Sequence, residues 1–188
     1  MVAEAFPVDS LGQKALTQVN RDYLQQEGLP DFCAPHLYFG PFGGIYLPPL
    51  PEWPWAADWK GWQASVLCAP QAYVLGAAQH EEAIVLIPND SGVYLFSESG
   101  TDYRMLNSNV DCLAKAIFAF AEMAEAAWRH DENAVPERRI PQALVTAFSD
   151  KIREIEPRIP IADSLWVQWA SDKSSNNRSC STGASQDH

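Results

Sequence analysis

The sequence predicts a mixed fold of strands and helices, and three observations carry that reading. Four short apolar segments between Tyr73 and Leu106, separated by turn residues, read as a β-meander. The meander runs straight into an apolar stretch with helical periodicity, beginning near Asn109. Further segments with one apolar side stand before and after this block.

Taken in order, Ser10 to Gln26 reads as an amphipathic helix with Ser10 as its cap and Leu16, Val19, Tyr23 and Leu24 as its stripe. Gly28 and Pro30 end it. His36 to Phe39 is a candidate short strand. Residues 40–72, rich in proline, glycine and tryptophan, give no periodic signal. The meander strands are Tyr73–Ala77, Ala83–Ile87, Gly92–Phe96 and Tyr103–Leu106. Ile84 to Ile87 is a continuous apolar run, which predicts a strand covered on both faces. Pro88 stops it for want of a ladder donor, and Asn89, Asp90, Ser91 and Gly92 supply a turn. Ser108, with Asp111 three residues later, predicts the cap of a helix over Asn109–Trp128, with Leu113, Ile117, Phe120 and Ala124 on one face. Asp131 to Pro136 reads as a polar linker. Pro141 to Ile155 is a second long helix presenting Leu144, Phe148, Ile152 and Ile155, broken by Pro157 and Pro160. Asp163 to Trp169 is a short last helix offering Leu165, Trp166 and Trp169. From Ser171 the polar sequence cannot bury enough apolar area to order itself, so one domain over residues 1–170 and a disordered tail over 171–188 are expected.

A chain of 188 residues buries roughly 70% of its unfolded surface and needs neither disulfide nor metal to fold. The formal net charge is −11, unevenly placed: residues 1–103 carry twelve acids and three bases, residues 104–188 twelve acids and ten bases. An acidic half disfavours direct nucleic-acid binding, which needs cationic neutralisation of phosphates. It suits a basic protein partner, although simple solubility is the stronger general explanation of acidity. Cys33, Cys68, Cys112 and Cys180 show no C-x-x-C spacing and indicate a reducing compartment. The N-terminus has neither a basic n-region nor an apolar h-region, so no signal peptide is expected, and no apolar run reaches the length of a membrane span.

Catalytic signatures are sparse. The chain lacks G-x-S-x-G, a glycine-rich phosphate loop, H-E-x-x-H and a deaminase-type histidine–cysteine set. His80-Glu81-Glu82 is the one local set with metal-ligating side chains, but neighbours on an extended loop point apart, so a solvated turn is the expected reading. Cys68 or Cys112 would need a histidine nearby in space to act as a nucleophile. Asp90 and Asp102 could pair across turns, although turn aspartates usually serve the backbone. Trp53, Trp55, Trp59 and Trp62 lie within ten residues, interleaved with prolines and acids. They are partner anchors, because aromatics dominate interface hot spots, or a lid folded over the sheet, with carbohydrate stacking as a third and weaker reading.

The order GLP (Gly28–Pro30), YVLG (Tyr73–Gly76), IVLIPNDSGVYLF (Ile84–Phe96), LNSNVDCLAKAIFAFAEM (Leu106–Met123) and IREIEPRIPIADSLWVQWASD (Ile152–Asp172) resembles the SUKH superfamily. It looks most like the immunity proteins found beside bacterial polymorphic toxins. The motifs are individually degenerate, and their order over about residues 10–170 carries the resemblance. It implies an α+β fold with a central, mainly antiparallel sheet flanked by helices. It also implies no enzymatic activity, no cofactor, a cytoplasmic location and a cognate toxin as partner. The tryptophan- and proline-rich segment 41–62 departs from the family pattern, and the tail is extra. Charge and aromatic content then name Trp53, Trp55, Trp59, Glu81, Glu82, Asp90 and Asp102 as candidate contacts to a basic toxin surface, with no metal site and no catalytic residue. The competing expectations are a regulatory or scaffolding adaptor on the same fold and a small cysteine-dependent hydrolase.

Overall fold

In the computed structural model, residues 3, 5–7, 11, 14–34, 36–41, 44–53, 71–78, 82–96, 103–137 and 139–171 are described. They form one antiparallel sheet of six strands in the order of the chain: β1 (Phe32–Cys33), β2 (Leu37–Phe39), β3 (Tyr73–Ala78), β4 (Glu82–Leu86), β5 (Val93–Phe96) and β6 (Tyr103–Asn107). Helix α1 (Gln18–Gln26) precedes the sheet, and α2 (Val110–His130), α3 (Gln142–Ile155) and α4 (Leu165–Ser171) follow it. This is the expected α+β arrangement, with β3 to β6 as the predicted meander.

The central strands β3 to β5 are buried on both faces. On one, Leu75, Ile84, Leu86, Val93, Leu95 and Leu106 meet the apolar sides of the helices in a single cluster. On the other, Val74, Ala77, Ala83, Val85 and Phe96 pack with Leu50 and Trp53. The continuous apolar run of β4 therefore has its predicted cause, since alternate side chains enter different cores.

Two β-bulges adjust the alternation. Between β5 and β6, Val93 faces Asn107 and Tyr94 faces Met105, leaving Leu106 as the extra residue. Leu106 and Asn107 consequently both turn toward the helices, and both are buried. Between β3 and β4, Val74 faces Val85 and Gly76 faces Ile84, with Leu75 as the extra residue.

Three boundaries differ from expectation. Helix α1 begins at Gln18 rather than Ser10, which lies outside the described residues. Thr17 is its extended N-cap residue, and the carbonyl of Ala15 accepts the Asn89 N–H at 2.9 Å. Residues 15–17 are thus drawn out beside the β4–β5 turn instead of coiling, while Arg21 donates to the carbonyls of Leu11 and Lys14. Val19, expected inside, is exposed, whereas Asn20 is fully buried. Asn20 donates to the Ser91 carbonyl at 2.9 Å and accepts from the Val110 N–H at 3.0 Å, tying α1 to a turn and to the start of α2. The α2 cap is Asn109 rather than Ser108: Asn109 Oδ1 accepts the Cys112 N–H at 2.8 Å. The Ser108 N–H instead donates to Glu156 Oε2 at 2.8 Å. The last helix starts at Leu165, after a 3-10 turn over Ile161–Asp163. The expected tail, apart from Ser171, lies outside the described residues.

Candidate protein-interaction site

Little among the described residues is poised for bond-making. Cys33 is buried, and burial pushes its thiol up to about 12. Cys112 is half-buried. Burial is the main cause raising its thiol, opposed by the Ser108 hydroxyl that donates to it at 3.7 Å. Its sulfur in turn donates to the Ile155 carbonyl at 3.6 Å. His36 and His130 are both exposed, and among the described residues no three of His, Cys, Asp and Glu come together to hold a metal ion. Cys68, Cys180, His80 and His188 lie outside the described residues. Neither thiol has a cation lowering its proton affinity enough to make a thiolate at neutral pH. Both are therefore expected to resist a thiol reagent in the folded protein, with Cys33 reacting about a thousandfold slower than in urea. Peptide mapping after a short pulse of iodoacetamide at pH 8 checks this. Rapid labelling of Cys112 would support the cysteine-hydrolase alternative instead.

The candidate contact residues are scattered. Trp53 is 1% exposed and packs against the second sheet face, as the lid alternative has it. Asp90 is half-buried in the β4–β5 turn, where its carboxylate accepts the Gly92 N–H at 2.7 Å and the Tyr94 hydroxyl at 2.9 Å. Burial and then that hydrogen bond push the Tyr94 phenol up to about 12. Glu82 opens β4, so β4 itself separates it from Asp90. Trp55, Trp59, Glu81 and Asp102 lie outside the described residues.

Large apolar side chains stand in solvent at both edges of the sheet. At one edge Phe32 and Tyr38 are direct cross-strand partners, 51% and 44% exposed, with ring centroids 4.9 Å apart. The His36 ring lies 6.2 Å from Phe32 on a turn where His36 takes φ 73°, in the left-handed region. The exposed Asp31 adjoins this corner, and its carbonyl accepts the Phe39 N–H at 2.9 Å. At the other edge Tyr103, 51% exposed, stacks on Phe96 at 5.1 Å and 11° and meets Tyr94 edge-on. A sequence signal for the first corner existed. In Leu37-Tyr38-Phe39 the period of two that buries Leu37 and Phe39 turns Tyr38 out.

The sequence profile of the SUKH-4 immunity proteins matches residues 5–172, which includes every strand and helix of the sheet-and-helix body. The chain belongs to the SUKH-4 immunity protein family. No curated protein and no solved structure matches it. Family membership implies an immunity function and a toxin as the kind of partner. In this SUKH-4 protein no described helix is long and apolar enough to cross a membrane. Among the described residues Trp53 is buried, whereas Phe32, Tyr38 and Tyr103 at the sheet edges and Phe118 and Trp128 on α2 stand exposed.

Proposed function

We propose that this chain neutralises a cognate toxin by stoichiometric, non-catalytic binding in the cytoplasm, occluding the toxin's active or substrate-binding surface. The observation that carries this reading is the corner formed by Phe32 and Tyr38. Two large rings stand exposed and already in contact with each other, at the edge of a sheet whose central strands β3 to β5 are buried on both faces. Rings with two rotatable bonds lose little freedom on docking and commonly anchor interfaces. The acidity of residues 1–103 suits a basic toxin surface. Asp31, Glu82 and Asp90, together with Glu81 and Asp102, supply charge that steers encounter, and Trp55 and Trp59 remain candidate anchors beside the rings.

The test is co-expression with the product of the neighbouring gene, which on this reading carries the toxin domain. Protection of growth and a one-to-one complex on size-exclusion chromatography with light scattering are expected. Phe32→Ala and Tyr38→Ala are each expected to weaken that complex about 30-fold or more, equivalent to about 2 kcal/mol. A toxin that still kills in the presence of the folded chain, with no complex formed, would overturn the reading.

A further inference from the structure

The opposite edge of the sheet carries a different chemistry. Strand β6 ends the sheet, paired with β5 on one side only. Among the described residues no other backbone hydrogen-bonds to it, so alternate N–H and C=O groups of the strand face outward. Next to it lies a cleft of about 430 Å³ lined by Arg104 and Met105 of β6 and by Arg158, Ile159 and Pro160 from the segment after α3. Asp163 and Gln168 complete the lining.

The cations of this cleft stand apart from the others in the chain. Lys115, Arg129, Arg139, Lys151 and Arg153 each sit within ion-pair distance of a carboxylate. Arg21 donates to two carbonyls, and Lys14 lies over the Tyr73 ring. Among the described residues Arg104 and Arg158 are the two cations without a carboxylate, carbonyl or aromatic partner, and both line this one cleft. In a chain of net charge −11, two unspent guanidinium groups beside an open strand make a local site for carboxylates.

The register tells which side of an incoming strand each residue would meet. Arg104 faces Leu95 across the ladder and so turns to the helix side, the side of the first core. Tyr103 and Met105 face Phe96 and Tyr94 and turn to the other side, where both are exposed. An added strand with acidic residues on one side and apolar residues on the other would place its carboxylates toward the two arginines and its apolar side chains against Tyr103 and Met105. A second copy of this chain fits poorly, because two β6 edges would bring arginine near arginine.

We propose that the open β6 edge binds an extended segment of a partner protein in which acidic and apolar residues alternate, by strand addition with its carboxylates over Arg104 and Arg158. The proposal goes beyond toxin docking at the Phe32–Tyr38 corner and stands whether or not that docking occurs.

The probe is a capped hexapeptide of alternating valine and glutamate, titrated into the 15N-labelled full chain at pH 7 and low salt. Saturable shifts centred on residues 103–107, with slowed amide exchange along β6, are expected. The matching valine–lysine peptide should leave those amides unmoved. The double variant Arg104→Glu/Arg158→Glu should bind the glutamate peptide about tenfold or more weakly while keeping a dispersed spectrum. Arg104→Gln/Arg158→Gln, which adds no new charge, is the second variant should the reversal unfold the edge, and a clear loss is expected there too. Inorganic phosphate is the control anion. The same shifts with phosphate alone and no slowed exchange would make this an anion site and overturn strand addition. Equal binding of both peptides, undiminished binding to the glutamine variant, or β6 shifts that track protein concentration without peptide would also overturn the proposal.

Discussion

Trp166→Ala is expected to lower the unfolding free energy by about 3–5 kcal/mol. Trp166 is 1% exposed and sits where α2, α3 and β6 converge. Its ring lies 6.0 Å from Phe120 and packs edge-on against Trp169 at 5.2 Å, and Phe120 in turn meets Phe148 at 5.5 Å. Its indole N–H donates to Asn107 Oδ1 at 3.0 Å. The amide of that asparagine donates to Glu156 Oε2 at 3.1 Å, and the same oxygen takes the Ser108 N–H. Asn107 and Glu156 are 0% and 2% exposed, so Asn107 Oδ1 and Glu156 Oε2 depend on these neighbours rather than on water, while Glu156 Oε1 is buried without a partner among the described residues. Removing the indole therefore opens a cavity and strands Asn107 Oδ1 together. Trp166→Phe separates the two costs: it keeps most of the apolar area, and a loss of about 1–3 kcal/mol is expected from the unmet acceptor. Urea unfolding followed by far-ultraviolet circular dichroism measures both variants. A loss below about 1 kcal/mol for the alanine variant would mean that the three elements are not joined here.

Much of this fold is legible in the sequence because the signals are local. The apolar runs of β4 and β5, the turn chemistry of Asn89 to Gly92 and the periodicity of α2 and α3 each follow from neighbouring residues, and the structure has them within a residue or two. What is not legible depends on distant partners. Asn20 looks like a surface residue of an amphipathic helix, and Glu156 like a solvated residue just past a helix end. They are buried because Val110, Ser91, Asn107 and Ser108, up to 90 residues away in sequence, offer them hydrogen bonds. The shortened α1 has the same origin, since the Ala15 carbonyl is taken by Asn89. Asn107 would alternate outward beside Leu106, and the bulge that turns both inward leaves no local mark. The interaction surface is harder still. Trp53 and Phe32 are both large aromatics among prolines and polar residues, and composition does not say which packs under the sheet and which stands in solvent. Position decides it: Trp53 follows a 3-10 turn against the second sheet face, whereas Phe32 lies on a two-residue edge strand with little to cover it.

Gly76→Ala is expected to cost about 3 kcal/mol, and to spend that cost at the edge that carries the proposed toxin contacts. Gly76 lies opposite Phe39 on β2 and Ile84 on β4, next to the extra residue of the β3 bulge. A Cβ at this position would stand 2.5 Å from the Tyr38 carbonyl oxygen and 2.6 Å from the Phe39 ring. A ring can rotate away, but a backbone carbonyl of the paired strand moves only if the strand moves. With β1 and β2 contributing just two and three residues, the ladder at this edge is the part of the sheet least able to resist. The methyl group should therefore push β2 off β3 and leave β3 to β6 paired. Amide exchange is expected to accelerate at Phe32–Cys33 and Leu37–Phe39 while Ala83–Leu86 keep their protection. The Phe32–Tyr38 corner should lose its fixed spacing, and toxin affinity should fall even though neither ring is altered. Adding Phe39→Leu to Gly76→Ala removes the ring contact but not the carbonyl contact, so it should restore less than half of the lost stability. Full recovery in that double variant would show the ring, not the strand backbone, to be the obstacle. Uniform loss of protection across all six strands would show that β2 is not a separable edge.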